Sequence, residues 1–120
     1  MGETHMVRAG AISALLAVML GAFGAHSLEA RLIANDTLDV WKTASHYHLI
    51  HSLAMLLPWS HTGKRIAPVW LFALGVLIFS GSLYLLCITG QKWLGAITPI
   101  GGLSFMAGWL LIALRAGKQK

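Results

Sequence analysis

A chain of 120 residues that is 57% hydrophobic and only 11% charged falls outside the composition of soluble domains and inside that of membrane proteins. Its formal charge of +5 is spread as single Lys and Arg residues through short loops and ends, a pattern suited to lipid headgroups that excludes the contiguous basic patch of a nucleic-acid-binding surface. The one cysteine, Cys87, lies inside an apolar run, which excludes an internal disulfide and a cysteine metal cluster.

The first apolar run, residues 9–26, follows Arg8 and predicts a helix. Ala9, Ser13, Ala17, Gly21 and Ala25 recur every four residues, so one face carries small side chains that let a second helix come close; this is a packing helix rather than a cleaved signal peptide. Residues 27–42 turn polar, and Asp36 ahead of a helix-compatible run reads as an N-cap. A second span is expected over residues 39–59. It is the least apolar of the set, because His46, His48 and His51 fall in its outer half. Trp41 and Trp59, about 27 Å apart along a helix, read as anchors at the two membrane interfaces.

Residues 60–65 form a short polar connector. The third span, 66–89, has no charged side chain and would reach about 36 Å as a helix, enough for a bilayer core of about 30 Å. Pro68 sits near its start and Gly90 stops it. The fourth span, 93–114, contains Pro99, which either kinks the helix or marks its beginning with Thr98 as cap. Gly101, Ser104 and Gly108 offer another close-packing face.

The fold expected is therefore all-α, a single four-helix transmembrane bundle occupying residues 1–120. Arg8, Lys64, Arg65, Arg115, Lys118 and Lys120 flank one side of it, and Arg31, Lys42 and Lys92 the other. The positive-inside rule then puts both termini in the cytoplasm.

In this arrangement His26, His48, His51, Ser80, Ser82, Tyr84 and Thr98 are expected to gather as a polar cluster in the outer leaflet. At 100° per residue Ser45, His48, His51, Ser52 and Met55 share an arc of about 120°, with His46 pointing nearly opposite. Ionisable groups are costly within a membrane and ask for a reason. The plainest is interhelical hydrogen bonding that fixes helix register. The competing reason is a transition metal or haem held by His26, His48 and His51, and a third is an oligomeric proton or solute pathway. No paired carboxylate or activated nucleophile lies in a span, so no catalytic residue is assigned and no cofactor is the leading expectation.

The segments GAFGAH (21–26), WKTASHYHLIHSLA (41–54), FSGSLYLL (79–86) and GAITPIGGLSFMAGW (95–109) resemble a known family. It is the small membrane family of unknown function that includes bacterial YgdD and YwdK and animal transmembrane protein 256. The resemblance extends over nearly the whole chain. His26, Trp41, Tyr47, His48, His51, Ser80, Gly81, Ser82, Tyr84, Thr98, Pro99, Gly101 and Gly102 fall on its motifs; His46 and His61 do not. It implies a four-helix protein of the bacterial plasma (inner) membrane and brings no established activity. The role expected is a non-enzymatic accessory or scaffolding subunit, in contact with lipid and packed against itself or a larger membrane complex through its small-residue faces.

Overall fold

A computed structural model describes residues 3–57 and 66–116, and the regular structure they form is helical. The interfacial role expected for Trp59, the 60–65 connector and the charged tail at Lys118 and Lys120 fall outside the described residues.

Helix α1, Glu3–Ala25, lies chiefly against α3. Its buried or half-buried positions are Met6, Gly10, Ser13, Ala14, Ala17, Leu20, Gly21 and Gly24, a band whose spine, Met6, Gly10, Ser13, Ala17, Leu20 and Gly24, alternates steps of four and three. That differs from the every-four stripe read from sequence, of which Ala9 and Ala25 are exposed. The reason is geometric. Steps of four drift by about 40° each around a helix of 3.6 residues per turn, whereas steps averaging 3.5 stay on one face.

The polar segment folds into a short helix, α2, Glu29–Ala34, closed by two backbone bonds, Asp36 N–H to Ile33 O at 3.0 Å and Thr37 N–H to Leu32 O at 2.8 Å. Asp36 sits between them with φ 56°, in the left-handed region. It therefore terminates α2 in a Schellman-type turn instead of capping α3, and Thr37 occupies the N-cap position of α3 without a side-chain cap bond. Arg31 of α2 donates to the Ile88 carbonyl at 3.3 Å, at the far end of another rod.

Helix α3, Leu38–Met55, ends in a turn where Leu56 and Leu57 donate to Leu53 and Ala54. Trp41 is no surface anchor here: only 2% exposed, it lies over Gly24, donates from Nε1 to the Leu20 carbonyl at 2.8 Å, and packs on Tyr84 with centroids 4.8 Å apart.

The third rod is continuous but not uniform: α4, Ile66–Gly75, passes through a π-helical turn, Val76–Ser80, into α5, Gly81–Thr89. Gly90, at φ 73°, ends it. A 3₁₀ turn, Lys92–Ala96, then leads into α6, Thr98–Ala116. Pro99 is the second residue of α6, where its missing N–H costs no intrahelical bond, so it starts the helix rather than kinking it. The Thr98 hydroxyl points back to Leu94 O at 3.3 Å.

Among the described residues three helices are long and apolar enough to cross a membrane: Thr4–Ala25, Ala67–Thr89 and Lys92–Ala116. α3 is not one of them, since its 18 residues include Asp39, Lys42, His46, His48 and His51. It is nevertheless the helix in contact with most of the others, touching α1, α2, α4, the π turn and α5. Among the described residues the buried apolar side chains form two cores. Met6, Ala54, Met55, Val69, Phe72 and Phe105 form one towards the chain termini of α1 and α6, and Leu32, Trp41 and Cys87 form the other near α2.

Candidate functional site

Between these cores α3 delivers its polar side chains. Ser52, His48 and His51 are buried and Ser45 half-buried, whereas His46 is exposed. His48 stands ten residues after Leu38, about 15 Å along α3 and midway down the helix. The polar groups are thus not gathered in a single layer. They are distributed over separate levels.

The central level joins three helices. His48 Nδ1 lies 3.0 Å from the Tyr84 hydroxyl, and His48 Nε2 lies 3.2 Å from Ser13 Oγ of α1. Ser13 Oγ is 2.6 Å from Ser52 Oγ, which donates to the His48 carbonyl at 2.7 Å. Tyr84 can donate onward to Ser45 Oγ at 3.3 Å. In one ordering of protons Tyr84 donates to Nδ1, Nε2–H donates to Ser13, Ser13 donates to Ser52, and Ser52 closes on the His48 carbonyl. The other imidazole tautomer reverses the two bonds to the ring, with Tyr84 turning to Ser45; the one Ser13 proton then goes to Nε2, and Ser52 must leave the His48 carbonyl to keep a hydrogen bond to Ser13. Both orderings keep the imidazole neutral, and the first keeps a proton in every contact from Tyr84 to the His48 carbonyl.

One turn along, His51 belongs to a different knot. The Trp109 indole N–H of α6 donates to His51 Nε2 at 2.9 Å, and His51 Nδ1 lies 2.7 Å from the Tyr47 carbonyl. An indole nitrogen only donates and a carbonyl only accepts, so this ring is the neutral Nδ1–H tautomer. It stacks on Phe105, centroids 3.6 Å apart and planes 10° apart.

A third level pairs Ser82 Oγ with Thr98 Oγ1 at 2.6 Å, where the third rod meets the start of α6. Ser80 stands apart from both, donating to the Ala44 carbonyl at 2.8 Å. Ser104, expected only as a packing residue, donates to Leu71 O at 2.6 Å.

His26 joins none of these. It is exposed just beyond the end of α1, beside Met19, Ala22 and Phe23. The three histidines considered as metal ligands are consequently not brought together, and among the described residues no group of three or more His, Cys, Asp or Glu side chains is placed to hold a metal ion. Each of the two buried rings has neighbours at both nitrogens, which leaves no free lone pair aimed at a vacant position.

Ser13, expected only as a packing residue, and Trp109, not singled out in the sequence, both complete the knots. The signal for Ser13 is that it is the polar member of an Ala and Gly stripe. No local signal marks Trp109, whose partner is 58 residues away.

A family model described as a protein of unknown function, DUF423, matches residues 20–102. The UPF0382 membrane protein YwdK of Bacillus subtilis is 45% identical over 115 residues, covering 91% of this chain and 93% of that protein. The UPF0382 membrane protein SH2409 of Staphylococcus haemolyticus is 43% identical over 113 residues, covering 91% and 92%. No solved structure matches the chain.

Proposed function

Because the chain belongs to the DUF423 family of unknown function, whose relatives YwdK and SH2409 are named membrane proteins, we propose that it is a non-enzymatic accessory or scaffolding subunit of a membrane assembly. In this reading it crosses the bacterial plasma membrane four times, with α3 as the second crossing sheltered by its neighbours and both termini in the cytoplasm. The interior supports a structural role, since its imidazoles and hydroxyls are engaged with one another across helices.

The observation that carries the proposal is on the outside of α6. Ile100, Leu103, Ala107, Leu110 and Leu114 are all exposed and recur in steps of three and four. Met106, Trp109 and Ala113 are exposed beside them, so the outer side of α6 is one broad apolar face, which either lipid or a facing helix can cover. The small-residue faces first expected to meet a partner are partly occupied inside the fold: Ala17 is buried, Gly101 lies against Phe79 and Gly108 under Phe72.

Cysteines placed at Leu103 or Leu110, in a Cys87→Ala background, should form crosslinked adducts in native membranes, of twice the chain mass for self-association and of another mass for a different subunit. Leu77, 72% exposed on the π turn, is the lipid-facing control. Adducts no more abundant at Leu103 and Leu110 than at Leu77 would refute the docking row.

A further inference from the structure

The seam between α1 and α3 is not filled along its whole length. A groove of about 320 Å³ opens beside it, bounded on α1 by Ala17, Gly21, Ala22 and Ala25 and on α3 by residues from Leu38 to Leu49. It exists because Gly21 and Ala22 project almost nothing outward: a Cβ built at Gly21 meets only Ser45 Cβ, at 3.9 Å. Lys42 stands at the same groove, exposed, and no acidic partner among the described residues pairs with it. His46, one turn deeper on the same wall, is also exposed.

These features select an occupant. An apolar slot on a helix surface in hydrocarbon is filled by an acyl chain, while an ammonium about 6 Å into a membrane-embedded helix extends to the phosphate level to keep its charge solvated. His46 offers a ring N–H at the depth of the ester carbonyls below that phosphate. A second copy of this chain would meet a like charge at Lys42, whereas a phosphodiester complements it. We propose that the α1–α3 groove is a glycerophospholipid site, with one acyl chain lying along Gly21 and Ala22 and the phosphate on Lys42. This site is independent of the α6 row, and the two are read by different measurements.

The test uses phosphatidylglycerol carrying a photoactivatable group on its acyl chain, added to the full chain in mild detergent, with labelled peptides mapped. Labelling should concentrate on residues 17–25 and 38–49, above that at exposed Leu77, which lies on neither surface. Lys42→Gln should weaken it about fivefold, the value of one basic side chain near a lipid phosphate. Gly21→Leu should fill the groove and abolish the excess while leaving the thermal midpoint in place, because the position has room; Ala22→Leu, at the rim, repeats the measurement if Gly21→Leu unfolds. Uniform labelling around the bundle, or labelling indifferent to Lys42→Gln and to a folded groove-filling variant, would overturn the site. So would a change from oligomer to monomer in Gly21→Leu without loss of labelling, which would give the groove to a second copy.

Discussion

His51 shows how an imidazole can be held inside a membrane bundle without serving as a ligand. Its two nitrogens are occupied by Trp109 and by the Tyr47 carbonyl, and its faces by Phe105 and Phe72. Trp109→Phe keeps most of the ring contact with Phe72 and deletes the donor, leaving Nε2 buried and unpaired, at a cost of about 1 kcal/mol. Replacing both partners with apolar rings should recover much of that loss, since neither polar group is then stranded. Thermal midpoints of Trp109→Phe, His51→Phe and the double variant measure the coupling. Strictly additive shifts would mean that the 2.9 Å contact contributes nothing. The inward face of α3 was legible at this scale, because a 100° step puts Ser45, His48, His51 and Ser52 on one side. Their partners on α1 and α6 were not legible, because helix periodicity says which way a residue points and nothing about which helix stands there.

Between elements, α6 comes up against the backbone of the π turn. A Cβ on Gly101 would overlap the backbone of Phe79, so the extra residue of the π turn and the missing side chain meet at one point. The widened turn also aims Ser80 at the Ala44 carbonyl, linking the third rod to α3. Gly101→Ala should therefore destabilise the protein by about 1–3 kcal/mol through overpacking. Gly81→Ala, only one residue past the turn but with nothing within 4 Å of its Cβ, should be neutral or stabilise by up to about 1 kcal/mol through helix propensity. Equal effects of the two on the thermal midpoint would show that close approach at Gly101 does not matter. The run VLIFS is uniformly apolar, and nothing in it signals a π turn, so the sequence supports a helix there without giving its winding. The same limit explains α1: the small residues mark a packing helix, but the choice between Ala9 and Gly10 as the contact depends on the crossing with α3.

For the whole molecule, the question is how α3, too polar to qualify alone as a crossing helix, can lie among three that do qualify. Its buried polar side chains face α1, α5 and α6 and are hydrogen-bonded there, so the membrane need not solvate them. Its exposed Asp39 and Lys42 lie in the first turns, within reach of the headgroups. With α3 as a crossing, the number of crossings is even and the two termini share a side. The sequence carries six Lys and Arg on that side, namely Arg8, Lys64, Arg65, Arg115, Lys118 and Lys120, against Arg31, Lys42 and Lys92 on the other. Single cysteines in a Cys87→Ala background test this directly. Ser27→Cys and Asn35→Cys, both at exposed positions, should react with a membrane-impermeant maleimide in spheroplasts, whereas Lys118→Cys and Glu3→Cys should react only after permeabilisation. Reaction of only one terminus from outside would establish an odd number of crossings. α3 would then lie along one membrane surface, and the hydrogen bonds of His48 and His51 to α5 and α6 would have to be broken in the membrane.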